Sequence, residues 1–160
     1  MPRIEEAIVI PLGPLETWEL MRNLELRPRW DATIIRVRRG VVSSDAEVPR
    51  LYYLAPLFLG LRWRWEGEYI SFQPPNRTAV SMAWGSSLRP FKSLVGTWIL
   101  QSHRDGTQVR MIVSFEPRWP LPLLGKIMGY RMRQLLGRSL SNLRVIETGH
   151  HSSPDSIHRS

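Results

Sequence analysis

Between Leu61 and Tyr69 the residues alternate between aromatic and charged types. In an extended chain this puts Trp63, Trp65 and Tyr69 on one face and Arg62, Arg64, Glu66 and Glu68 on the other. Large rings suit flat or polycyclic apolar molecules, and thioethers adapt to irregular ones. Tyr53, Met82, Trp84, Trp98 and Met111 extend this set, and Met128 and Met132 add to it further along the chain. These residues form the candidate ligand-binding wall; for any one of them, plain core packing is the competing reading. Groups that polarise a carbonyl or move a proton are scarcer, and Tyr53, Tyr69 and Arg64 are the candidates. The charged face competes with that role as solvated cross-strand pairing.

Other chemistries are excluded or unsupported. The chain has no cysteine, which removes disulfides, thiolate–zinc sites and a thiol nucleophile. His103 sits near a polar turn, while His150, His151 and His158 fall in a polar tail. His150-His151 has no further ligand at a fitting spacing, so no metal site is expected, and no cofactor motif, phosphate loop or Ser/His/Asp arrangement is visible. The formal net charge of +8 invites an anionic partner, but no run of four or more Lys/Arg occurs, and Arg36, Arg38 and Arg39 form the densest group. Nucleic acid is not expected, because the aromatics lie on an inward face and not on an exposed stacking platform.

The elements that must position these residues follow from periodicity. Arg3 to Ile10 reads as a strand, and Pro14 opens a helix through Leu15, Trp18, Leu20 and Met21. Leu24 to Trp30 reads as a second short helix interrupted by Pro28, and Thr33 to Val42 as a strand. A meander follows, near Val48–Leu54, Leu61–Phe72, Arg77–Trp84, Phe91–His103 and Thr107–Pro117. Taking Asp105-Gly106 as a two-residue turn pairs Leu100 with Met111, Trp98 with Val113 and Gly96 with Phe115. The same register sets Ser102 opposite Val109, Gln101 opposite Arg110 and Ile99 opposite Ile112. A long helix is expected from about Leu123 to Glu147, with Ile127, Met128, Met132, Leu135, Leu136, Leu143 and Ile146 as its apolar stripe. The reading is one domain over residues 1–148, followed by a disordered polar tail over 149–160. At 160 residues such a domain buries about two-thirds of its unfolded surface.

Connections in a meander fall at alternate ends of the sheet. Ser43-Ser44-Asp45, Gln73–Asn76 and Arg104-Asp105-Gly106 are polar turns at one end. At the other end the connections are apolar: Leu54–Gly60, Leu88–Phe91 and Trp119–Leu123. Loops ordinarily lie on the surface, so an apolar cluster there needs a partner or must fold over the core. Phe58, Arg89, Phe91, Trp119 and Leu123 are therefore the expected pocket mouth, with Arg62, Lys92 and Arg118 also at its rim.

Strand, two short helices, a meander and a long C-terminal helix is an α+β order with about seven antiparallel strands. With Ile8-Val9-Ile10-Pro11, Thr17-Trp18-Glu19-Leu20, Pro28-Arg29-Trp30-Asp31, Phe72–Arg77, Gly96-Thr97-Trp98 and Asp105–Val109, the chain resembles the START-related, birch-pollen-allergen-like (SRPBCC) superfamily, in its polyketide cyclase/dehydrase-like branch. The resemblance implies a helix-grip fold with a cavity between sheet and helix. It carries no universal catalytic residue and implies no single activity.

The leading expectation is a carrier or sensor that binds an apolar or amphipathic small molecule, lipid, isoprenoid or polyketide-like, without a cofactor. An aromatic polyketide cyclase or dehydratase is the enzymatic alternative. Association of the apolar loops and basic rim with an anionic membrane surface, or with a protein, is the third. With acidic residues at Glu5 and Glu6 and no apolar run of ~20 residues, the expected location is cytoplasmic, peripheral to membrane in the third case. The sequence assigns no oligomeric state.

Overall fold

Alternation of β-branched and apolar residues with polar ones produces long strands in this chain, and the computed structural model, which describes residues 2–40, 49–119 and 122–150, pairs them in a single antiparallel order. Strand β1 (Arg3–Ile10) leads into helices α1 (Pro14–Arg22) and α2 (Arg27–Trp30), then β2 (Arg36–Arg39) and β3 (Leu51–Pro56). A 3-10 turn at Phe58–Gly60 precedes β4 (Arg62–Gln73), β5 (Arg77–Gly85), β6 (Phe91–His103), β7 (Gly106–Pro117) and α3 (Pro122–His150). The seven strands run in the order β1-β7-β6-β5-β4-β3-β2. This is the helix-grip arrangement: α3 packs against β1, β7 and α2, across the face where the sheet buries its apolar residues.

The core follows from the two periodicities. Leu94, Trp98 and Leu100 of β6 and Val109, Met111, Val113 and Phe115 of β7 share one buried face with Met128, Met132, Leu136, Leu140 and Leu143 of α3. Trp18 and Met21 of α1 and Trp30 of α2 close one side. A smaller cluster of Ile34, Val37, Leu51 and Tyr53 lies beneath β2 and β3.

Several boundaries and one register differ from the sequence reading. Pro28 sits in the first turn of α2, where its missing N–H costs nothing, so it starts that helix and does not interrupt it. β2 begins at Arg36 because residues 31–34 form a turn, in which the Ile34 N–H donates to the Asp31 carbonyl. α3 continues through Glu147 to His150, past the expected start of the tail at Gly149. The turn Ser43-Ser44-Asp45 and residues 151–160 lie outside the described residues.

The β6–β7 hairpin pairs His103 with Gly106, Leu100 with Val109, Trp98 with Met111 and Gly96 with Val113, two residues from the register expected of an Asp105-Gly106 turn. Gly106 is needed elsewhere. Its φ is +134° and a Cβ there would stand 2.0 Å from the Ile10 carbonyl oxygen, so it admits the end of β1 alongside β7. A slide of two residues keeps every side chain on its expected face.

Candidate functional site

A cavity of about 430 Å³ lies between the sheet and the N-terminal half of α3. That volume falls within the ~300–1,000 Å³ usual for small-molecule pockets. Its strand wall includes Tyr53, Ala55, Trp63, Trp65, Tyr69, Val80, Leu94, Gly96, Trp98, Met111 and Val113. α3 contributes Ile127, Met128, Arg131, Met132, Leu135, Leu136 and Arg138, and the α2–β2 segment adds Arg27 and residues Asp31 to Ile34.

The cavity has a structural origin in two glycines. Gly96 lies on the inner face of β6 between Leu94 and Trp98, and a Cβ built on it meets nothing within 4 Å. Its missing side chain is part of the hollow. Gly67 does the opposite: a Cβ there would stand 2.6 Å from Val80 Cγ1 and 2.9 Å from Tyr53 Cε2. Its absence lets Tyr53 and Trp65 stack in neighbouring strands, with centroids 3.9 Å apart and planes 8° from parallel. Trp63 continues the stack at 6.0 Å and 17° from Trp65, so three near-parallel rings stand in a row along the cavity wall.

Most of the aromatics and thioethers picked out in the sequence line this space: Tyr53, Trp63, Trp65, Tyr69, Trp98, Met111, Met128 and Met132. Met82 does not, packing instead against the core beside Gly85. Trp84 stands on the opposite, convex face and is 57% exposed. The cause is a bulge: Gly67 pairs with Met82 but Glu66 with Trp84, so Ala83 is an extra residue and Trp84 is turned outward. Arg64 is also exposed on the convex face, opposite Leu54, and lines a separate groove with Arg36, Arg38, Arg62 and Trp84. It therefore has no access to the cavity, because alternation sends it away from Trp63 and Trp65.

The expected mouth is only partly reproduced. Phe91 lines the cavity, joined by Leu57 and Pro90. Arg89 instead donates from Nη1 to the Gly85 carbonyl at 2.9 Å, bracing its own loop. Trp119 and Leu123 are exposed outside the cavity wall. The side chain of Phe58, with Pro120 and Leu121, lies outside the described residues.

The principal feature that pattern reading missed is charge. Arg27 lines the cavity with only 12% of its side chain exposed, and its Nε donates to Asp31 Oδ2 at 2.9 Å. Its guanidinium lies 4.1 Å from the Trp98 ring centroid and 5.9 Å from that of Tyr53. Asp31 is 1% exposed and also accepts from the Thr33 N–H at 3.0 Å. Ser139 Oγ of α3 lies 3.5 Å from Asp31 Oδ1, accepts from the Ala32 N–H at 2.8 Å and donates to the Leu135 carbonyl at 2.8 Å. This buried network ties the α2–β2 segment to the helix. The available signal was an Arg and an Asp four apart across a one-turn helix, beside the Pro-Arg-Trp-Asp motif.

Burial opposes the charge on Arg27, but Asp31 beside it, helped by Tyr53, outweighs that and holds its pKa above the ordinary value. Burial pushes the Tyr53 phenol up to about 12, with Arg27 pulling partly the other way. Tyr69 is raised for the same reason, with Arg27 again opposing. Both phenols are protonated hydrogen-bond donors at neutral pH. The cavity thus has apolar walls and cationic and phenolic donors, with the carboxylate of Asp31 engaged by protein groups.

The family described as "Polyketide cyclase / dehydrase and lipid transport" matches residues 1–145. The chain belongs to this family. Among solved structures, TTHA0849 from Thermus thermophilus is 24% identical, covers 95% of this chain and 100% of its own, and superposes with a TM-score of 0.75. A START superfamily protein from Mycobacterium smegmatis is 13% identical over 92% of this chain and 95% of its own, with a TM-score of 0.67. Ginseng major latex-like protein 151 from Panax ginseng gives 13%, 93%, 97% and 0.65 for the same quantities. At these identities the likenesses establish the fold alone. No curated protein matches the chain.

Proposed function

We propose that this protein binds an apolar or amphipathic small molecule in the cavity and carries or senses it without chemical change. The observation that carries this reading is a hollow of about 430 Å³ walled by stacked aromatics and methionines, with space left at Gly96. The family's description, which includes lipid transport, supports it. A catalytic reading has less support, since Tyr53 and Tyr69 keep their protons near neutral pH and so cannot accept one there, and Arg64 faces away. Native mass spectrometry of gently purified protein tests the binding reading. Wild type is expected to retain apolar material, and Gly96→Leu, which fills the hollow, is expected to lose it while staying folded. Wild type that is always empty and takes up no added lipid would overturn the reading.

A second reading is supported at the loop end. Leu59 is 95% exposed and Leu123 70%, with Leu61, Leu88, Trp119 and Ile127 also exposed. Two of the loops that carry them, those of Leu88 and Trp119, are joined, since the Arg118 N–H donates to the Pro90 carbonyl at 2.9 Å and Arg118 Nη1 to that of Ser87. Arg62, Arg118 and Lys126 stand among them, which fits an anionic membrane surface beside the cavity. No described helix is long and apolar enough to cross a membrane. Sedimentation with phosphatidylglycerol vesicles is expected to exceed that with phosphatidylcholine, to weaken in salt and to fall in Leu59→Glu/Leu123→Glu. Equal recovery with both lipids, or no effect of the double change, would remove this reading.

A further inference from the structure

We infer that the Arg27–Asp31 pair makes the cavity a reader of uncharged carbonyl oxygen, favouring a planar ketone over both its parent hydrocarbon and a carboxylate of the same shape. This deepens the binding reading and rests on it.

A guanidinium carries five N–H groups, of which Arg27 gives Nε to Asp31. Arg27 lines the cavity with its guanidinium over the Trp98 ring, and one further N–H group is hydrogen-bonded to the Tyr53 hydroxyl, so N–H groups remain beyond these two partners. Donors in an apolar space are costly to leave unmet, so a hydrocarbon guest wastes them. A carbonyl oxygen satisfies one or two.

Charge then separates carbonyl from carboxylate. Asp31 already neutralises Arg27, and the carboxylate is held there by Thr33 and close to Ser139. The pair is neutral as a unit. A carboxylate entering beside it brings a net negative charge into a low-dielectric hollow, whereas a ketone brings none. Arg131 and Arg138 are cations at the α3 rim, but both are exposed, so they can hold an anion only near solvent. The stacked rings of Tyr53, Trp65 and Trp63 add aromatic contact for a guest that carries rings.

The test uses 9-fluorenone, fluorene and 9-fluorenone-4-carboxylate with the full chain, followed by calorimetry and by quenching of tryptophan fluorescence. Wild type is expected to bind the ketone about tenfold or more tightly than either other compound, as one well-placed hydrogen bond allows. Arg27→Met/Asp31→Asn removes both charges together and is expected to bind fluorenone and fluorene alike. Equal affinities in wild type, preference for the carboxylate, or a ketone preference that survives the double change would each overturn the inference while leaving the cavity reading intact. Failure of all three compounds to bind wild type would overturn both. The comparison among compounds on the unaltered chain decides the matter even if the double variant does not fold.

Discussion

Tyr53 and Trp65 sit opposite each other on β3 and β4 and stack face to face at 3.9 Å, in space that Gly67 leaves empty. The stack forms part of the cavity wall, and its existence depends on a residue with no side chain at all.

Gly67→Ala is therefore expected to destabilise the fold by about 1–3 kcal/mol, the usual cost of overpacking. The added Cβ meets Val80 and Tyr53 at once, and strand backbone cannot easily give way. Urea denaturation checks this, with Gly96→Ala as the control whose Cβ meets open space. Equal costs at the two positions would show that the stack does not depend on Gly67.

The ion pair predicts an asymmetry. Asp31→Ala leaves Arg27 buried without its carboxylate and strips Thr33 of an acceptor, and is expected to cost about 3–5 kcal/mol. Arg27→Met/Asp31→Asn leaves no unpaired charge and is expected to cost clearly less than the single change. Chemical denaturation of both variants makes the comparison; additive or larger losses in the double variant would contradict the pairing argument.

Alkaline pH should weaken the fold through Tyr53. Its folded-state pKa is about 12 against 10.0 unfolded, so the protonated phenol is favoured in the native state. The corresponding stability is fully present below pH ~10 and is lost as pH rises toward about 12, amounting to about 3 kcal/mol. Tyr69, also raised, acts in the same direction. Stability measured from pH 8 to 12 should fall less steeply in Tyr53→Phe than in wild type; parallel curves would show that Tyr53 does not titrate as a buried phenol.

Much of this molecule was legible in its sequence because the relevant signals are local. Strand alternation set the inward faces of β6 and β7, and helical spacing placed Met128, Met132 and Leu136 on the buried side of α3. The two-residue error in the hairpin did no harm to those faces, since the pleat repeats every two residues. Trp84 shows where the same logic fails: one extra residue at Ala83 turns it outward, and a bulge leaves no mark that alternation can read.

The order of elements and the apolar faces were thus legible in periodicity, a property of neighbouring residues, and the family resemblance in short motifs and their order. Tertiary structure alone decided that Arg27 and Asp31 form a buried pair within the cavity wall, that Ser139, 108 residues from Asp31, is drawn against it, and that Gly96 faces empty space. Those facts come from how distant segments are brought together, and burial of a charge or the presence of a void is a property of that assembly and not of any stretch of chain.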